Sequence, residues 1–294
     1  MKLQGFVDLH THGIGKHDTR ADDYEDILTM ARAHSKAGTM AILPTIYAGH
    51  INEMRKSLQA VSKAMEMQGK TDGSGFGAQI LGVNLEGPFL NPVRCGAMDK
   101  DSFIKPTLSA YRKLIDGYEK IVKIITIAPE LPGALKVIEK CADMGIKVNM
   151  GHSDATLPQA LDAKKAGATG ITHIFNAMRP FHHREPGIVG LGLTDSDLYI
   201  EVIADGVHLH PKTLELIFRC KSLDKIIIVS DSVKGSASAE GVIYSHGILA
   251  GSGLTIGGAA KKLQRIGITD ANILRTSIDN PLRYISREGS RRCC

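Results

Sequence analysis

Short, almost wholly apolar runs alternate with stretches of helical periodicity along most of the chain. The apolar runs fall at 5–9, 40–44, 80–85, 121–127, 146–150, 170–174, 198–203 and 225–229. Several, such as Ile226-Ile227-Ile228-Val229, have no polar position at all, the pattern of a strand buried on both faces of a parallel sheet. Between them, apolar residues recur every three or four positions over 23–37, 50–68, 107–117, 131–144, 157–166, 211–219 and 257–266, which predicts helices. The interval 175–197 breaks the rhythm: rich in Pro, His and Gly, it predicts mostly loop. Strands that alternate with helices in this way predict an α/β fold, a (β/α)8 TIM-type barrel, with an open doubly wound sheet as the other arrangement they allow.

Length and composition narrow the class. The 294 residues suffice for one large barrel, and 43% hydrophobic with 23% charged residues describes a globular chain with a sizeable core. Residues 1–286 are expected to form a single catalytic barrel, and 287–294 a basic, disordered tail. No apolar run is long enough to span a bilayer and no signal peptide precedes Asp8, so no membrane partner is expected. Cys95, Cys141, Cys220, Cys293 and Cys294 show no paired zinc-ribbon spacing and suggest a reducing cytoplasm. The net charge of +5 is mild and, tail apart, its basic residues are unclustered, which argues against nucleic acid. The glycines of the polar segment from Gly69 to Gly77 lack the strand–loop–helix setting of a phosphate loop.

The chemistry lies where the strands end. The first strand runs into Asp8-Leu9-His10-Thr11-His12-Gly13, and residues two apart on a strand share a face, so both imidazoles project together. A lone His-x-His is as readily a polar turn as half a metal site. Here, however, Glu86 ends the third strand, His152 follows the fifth, His173 lies on the sixth, His208 follows the seventh and Asp231 ends the eighth. In a barrel all these ends ring one face, the face where chemistry is done. Six strands each delivering a ligand-capable residue point to a metal site. His10 and His12 are expected to hold one ion and His152 and His173 a second, with Glu86 bridging them or serving the second alone. Such donors suit one or two divalent ions, Zn²⁺ foremost, with Fe²⁺, Mn²⁺ or Co²⁺ as alternatives. Three protein ligands with open positions describe a catalytic site, at which water is activated near neutral pH. Asp231 can then accept that water's proton and pass it to a leaving amine, so the residues alone reach a metal-assisted hydrolase.

The pattern of His-x-His, two further strand-end histidines and a final strand-end Asp resembles the amidohydrolase superfamily, with Glu86 where some members carry a carbamylated lysine. Within it, Leu85-Glu86-Gly87-Pro88-Phe89, Gly151-His152-Ser153, Thr172-His173-Ile174-Phe175-Asn176-Ala177-Met178, His182-His183-Arg184-Glu185-Pro186-Gly187 and Ala204-Asp205-Gly206-Val207-His208 resemble the N-acetylglucosamine-6-phosphate deacetylase family over residues 5–285. The resemblance implies removal of acetate from N-acetylglucosamine 6-phosphate. It implies Glu86, His152 and His173 as ligands of the metal that every member keeps, and His10 and His12 as ligands of a second that some have lost. Asp231 becomes the catalytic acid and base, and His208 a catalytic and substrate-binding group that polarises the acetyl carbonyl. Asn176 and the backbone of Ala177 become phosphate contacts. Arg184 becomes a phosphate-binding arginine supplied across a homodimer interface, a role its guanidinium fork suits.

Two features depart from that pattern. Met98 stands where the family has a sugar-contacting histidine, and methionine donates no hydrogen bond to a hydroxyl. The family's small β-domain is expected to be missing or vestigial, since only seven residues precede Asp8. Met98 favours a deacetylase of another amino sugar phosphate, such as N-acetylgalactosamine 6-phosphate. The short chain favours a decayed, non-catalytic barrel, against which the intact ligand set and Asp231 stand.

Overall fold

The computed structural model describes residues 5–286 except 71–74, 76, 237–240 and 246. The 287–294 tail, with Cys293 and Cys294, and most of the Gly69 to Gly77 segment lie outside the described residues. Eight parallel strands form the wall of a barrel: β1 (Phe6–Thr11), β2 (Thr39–Tyr47), β3 (Val83–Glu86), β4 (Val122–Ile127), β5 (Lys147–Met150), β6 (Gly170–Ile171), β7 (Tyr199–Ile203) and β8 (Ile226–Val229). They pair in chain order, each with the next. Helices pack outside: α1 (Tyr24–Lys36), α2 (Ile51–Gly69), α3 (Leu108–Ile115), α4 (Ala134–Asp143), α5 (Leu157–Ala166), α6 (Gly187–Thr194), α7 (Pro211–Cys220) and α8 (Ile256–Arg265). Beyond these lie α9 (Asp270–Leu274), a π-helical turn over Arg275–Asp279 and α10 (Asn280–Ile285).

Local chemistry fixes several boundaries. Asp23 caps α1 by accepting from the Glu25 amide, and Thr156 and Gln159 form a reciprocal capping box at α5, which Gly167 ends in a left-handed turn. Two apolar cores follow from the alternation of strand side chains. Val7, Leu9, Ala41, Leu43, Ile124, Ile203, Ile227 and Val229 fill the barrel, and Tyr284 of α10 closes its lower end. The opposite strand faces, including Ile42, Leu85, Ile125, Val148 and Ile228, pack against the helices.

The interval 175–197 is mostly loop, as expected, but it also holds a helix that the pattern does not predict. This is α6, whose residues from Gly187 to Leu193 are all buried, so the helix has no polar face to create an amphipathic period. Its glycines permit close packing: a Cβ at Gly192 would lie 2.6 Å from Ile171 Cδ1 and 2.9 Å from Ile174 Cδ1. A hairpin of β9 (Val242–Ser245) and β10 (Ile248–Ser252) also goes unforeseen. Among the described residues, no helix is long and apolar enough to cross a membrane.

Candidate active site

The C-terminal strand ends surround a cavity of about 610 Å³ whose wall includes His12, Glu86, Met98, His152, His173, Asn176, Ala177, His208 and Asp231. His10 lies just beneath it, fully buried. The backbone is strained here. His152, His173, Phe175, Ala177 and Asp231 all have positive φ, between 27° and 75°, and they are the non-glycine residues that do so among those described. Such conformations persist only where surrounding contacts impose them, and they gather at functional sites. At His173 the turn away from strand geometry cuts the ladder of β6 to two residues.

Hydrogen bonds orient the histidines. His10 Nδ1–H donates to Glu201 Oε2 at 2.9 Å, His12 Nδ1–H to the Thr45 carbonyl at 3.0 Å, and His152 Nδ1–H to the Arg94 carbonyl at 2.8 Å. Each acceptor lacks a proton to give, so each neutral ring carries its hydrogen on Nδ1 and presents a bare Nε2 to the centre. There Glu86 Oε1 lies 3.1 Å from His152 Nε2 and 2.9 Å from His173 Nε2, while Oε2 lies 3.2 Å from His12 Nε2. Asp231 Oδ1 is also 3.2 Å from His12 Nε2, and the His10 and His12 Nε2 atoms stand 3.2 Å apart.

Lone pairs facing lone pairs at these distances form a donor set that a cation satisfies. Two ligand atoms on one tetrahedral Zn²⁺, each about 2.0–2.1 Å from it, are separated by roughly 3.3 Å, close to the spacing found. Two buried groups are compact enough to hold an ion, His10–Glu86–His173 and His10–His12–Asp231. His152 adjoins the first through Glu86 Oε1. Glu86 thus reaches both histidine pairs.

The electrostatics agree with that donor set. Burial alone lowers the imidazole pKa of His10, yet the charges of Glu86 and Glu201 raise it well above the usual value. Burial is likewise outweighed at His12, raised to about 9 by hydrogen bonds to Asp231 and Glu86. Burial raises both carboxyls, but the charge of His10 and then that of His152 hold Glu86 well below the carboxylate range, and His12 and His10 hold Asp231 low. Protonated imidazoles and ionised carboxylates thus stabilise each other where a divalent ion can serve instead.

The remaining candidates divide. His208 Nδ1–H donates to Asp205 Oδ2 at 2.7 Å, and Asp205 Oδ1 accepts the amides of Val207 and His208. Asn176 is held by the carbonyls of His173 and Ile174 and lines the cavity beside Ala177. Arg184 is not brought to the cavity of its own chain; exposed, it contacts His183 Nε2 at 2.9 Å. Glu201 and Asp205, which orient His10 and His208, escape the sequence reading as site residues. A single carboxylate inside the apolar strand Tyr199–Ile203 was the available signal for Glu201.

The model of the amidohydrolase family matches residues 1–262. The chain is 34% identical to an N-acetylglucosamine-6-phosphate deacetylase from Bacillus subtilis, covering 98% of this chain and 77% of that protein. It is 31% identical to an N-acetylgalactosamine-6-phosphate deacetylase from Escherichia coli O157:H7, over 97% of this chain and 78% of the relative. Among solved structures it is similar to an N-acetylglucosamine-6-phosphate deacetylase from Thermotoga maritima, with a TM-score of 0.86, 27% identity, and 96% of this chain and 78% of the other covered. It is also similar to a variant of that enzyme from Mycobacterium smegmatis in complex with N-acetyl-D-glucosamine-6-phosphate, with a TM-score of 0.84, 28% identity, and coverage of 96% and 77%.

Proposed function

Since the chain belongs to the amidohydrolase family, we propose that it hydrolyses the amide of N-acetylglucosamine 6-phosphate to glucosamine 6-phosphate and acetate. The observation that carries this reading is Asp231 Oδ1 set 3.2 Å from His12 Nε2, at a cavity that Glu86, His152, His173 and His208 also line. Glu86, His152 and His173 would hold one divalent ion, with or without a second on His10 and His12, and it would supply Lewis acidity toward the acetyl carbonyl and the attacking water. Zn²⁺ suits the imidazole and carboxylate donors best.

The chain's own groups do the rest. Asp231, ionised, accepts a proton from the attacking water as the new C–O bond forms, and returns it to the amine nitrogen as the C–N bond breaks. His208, its Nδ1–H given to Asp205 and its ring at the cavity wall, is placed to polarise the acetyl carbonyl. Asn176 and the backbone at Ala177 meet the 6-phosphate, and Arg184 completes that contact in the cavity of a second copy, which makes the working unit a homodimer. The reading places the protein in the cytoplasm, a compartment that suits the unbridged Cys95, Cys141 and Cys220.

A second substrate is favoured by Met98, which lines the cavity and offers no donor to a sugar hydroxyl. Acetate release from N-acetylglucosamine 6-phosphate and from its galactosamine epimer, compared by kcat/KM, separates the two. The glucosamine substrate is expected to lead. A higher kcat/KM on the epimer transfers the assignment to it, and acetate from neither refutes both.

A further inference from the structure

The barrel wall pairs strand by strand from β1 to β8, but among the described residues no ladder joins β8 back to β1. The seam is closed just beyond the strand ends instead. There the Asp231 amide donates to the His10 carbonyl at 2.9 Å, the His12 amide to the Ser232 carbonyl at 2.7 Å, and Thr11 and Ser232 form a single isolated bridge. The histidine pair of β1 and the aspartate after β8 therefore face one another across the barrel's least paired joint.

Side chains reinforce that joint. Thr11 Oγ1 lies 2.9 Å from Ser232 Oγ, and Ser232 Oγ–H donates to the Gly13 carbonyl at 2.9 Å. On one flank Ser230 Oγ stands 3.0 Å from Ser232 Oγ and donates to the Asp8 carboxylate. On the other, His34 of α1 meets Thr11 Oγ1 through Nε2 at 3.1 Å. Asp8, Thr11, His34, Ser230 and Ser232 are all buried, and none lines the cavity, so this row of polar groups has no part in touching substrate. Buried hydroxyls in an otherwise apolar wall are stabilised by pairing, and a paired network favours one arrangement.

That arrangement is what Asp231 needs. At φ +49° its backbone is in a region unfavourable to a side-chain-bearing residue, and nothing in the local sequence imposes it. Its amide and carbonyl are held by His10 and by the Ser252 amide, and its neighbours Ser230 and Ser232 are held by Asp8 and Thr11. Thr11 in turn sits between His10 and His12. The hydroxyl contact thus joins the backbone hydrogen bonds across the seam in setting the position of Asp231 against that of the histidines.

We propose that Thr11 and Ser232 are positioning residues, whose buried hydroxyl pair fixes the Asp231 carboxylate against His12 across the open seam of the barrel. The inference rests on the role of Asp231 in the deacetylation proposed above. Thr11→Val keeps the shape of the side chain and removes the hydroxyl; Thr11→Ser keeps the hydroxyl. Ser232→Ala removes the other partner and serves if Thr11→Val does not fold.

The test is a crystal structure of each variant with its metal content, kcat and KM. Thr11→Val and Ser232→Ala are expected to lose the 3.2 Å spacing of Asp231 Oδ1 and His12 Nε2. Their kcat should fall by roughly ten- to a hundredfold, the cost of a displacement on the order of 1 Å, with KM unchanged. Thr11→Ser should retain both. Wild-type spacing in Thr11→Val or Ser232→Ala overturns the proposal, as does a loss of melting temperature with kcat intact. If the wild-type protein releases no acetate, the deacetylase reading fails, and the crystallographic spacing still decides this one.

Discussion

Glu201, from the middle of β7, accepts the Nδ1–H of His10 at 2.9 Å inside the barrel, and its other oxygen accepts from Asn149 Nδ2 at 2.8 Å. Asn149 in turn accepts from the Tyr284 hydroxyl of α10, so a polar path runs from the barrel's lower plug to the buried histidine. The carboxylate fixes the tautomer of His10 and would raise its basicity toward a bound ion.

Glu201→Gln is therefore expected to weaken binding of the ion on the His10 side by about 10- to 100-fold, with activity recovering as metal is added. Titration of the metal-free variant by calorimetry checks this. Affinity equal to wild type for every ion bound would remove Glu201 from the site.

Asp231→Asn keeps the side chain's size but cannot take a proton. It is expected to retain substrate affinity and to lose about 10²- to 10⁴-fold in kcat, the usual worth of a positioned acid–base group. Steady-state kinetics beside metal analysis read the two effects apart, and near-wild-type turnover would rule out the proton-transfer role.

His34 is fully buried, and burial lowers its pKa from 6.5 to about 4. The unfolded chain therefore binds a proton between about pH 6.5 and pH 4 that the folded chain refuses. Acidification through that window costs stability, roughly 3 kcal/mol for a shift of this size, whereas above pH 6.5 the residue has no such effect. His34→Gln should flatten that part of the urea-unfolding curve measured from pH 7 to pH 4. Parallel losses in variant and wild type would show that His34 does not set it.

What the sequence reveals and conceals follows from physics. The strand ends were legible because an imidazole or carboxylate closing an apolar run is conspicuous, and six of the eight runs carry one to a common face. Helix α6 was hidden because Gly187, Gly190 and Gly192 lower helix propensity, while complete burial erases the polar face that marks a helix. A carboxylate inside an apolar strand marks Glu201 as unusual, but its work is not readable from sequence, since its partners Asn149 and His10 come from other strands. The seam was equally unreadable: Thr11 and Ser232 are ordinary polar residues until the barrel brings them within 2.9 Å. Arg184 was singled out only through the family's motif, and a single chain leaves it away from the cavity.

The most direct test of the account is acetate release from N-acetylglucosamine 6-phosphate before and after metal removal. Chelation should abolish the reaction, and stoichiometric Zn²⁺ should restore it in wild type but not in His152→Ala or His173→Ala. Full turnover in the chelated protein, or in either variant with no metal bound, would contradict it.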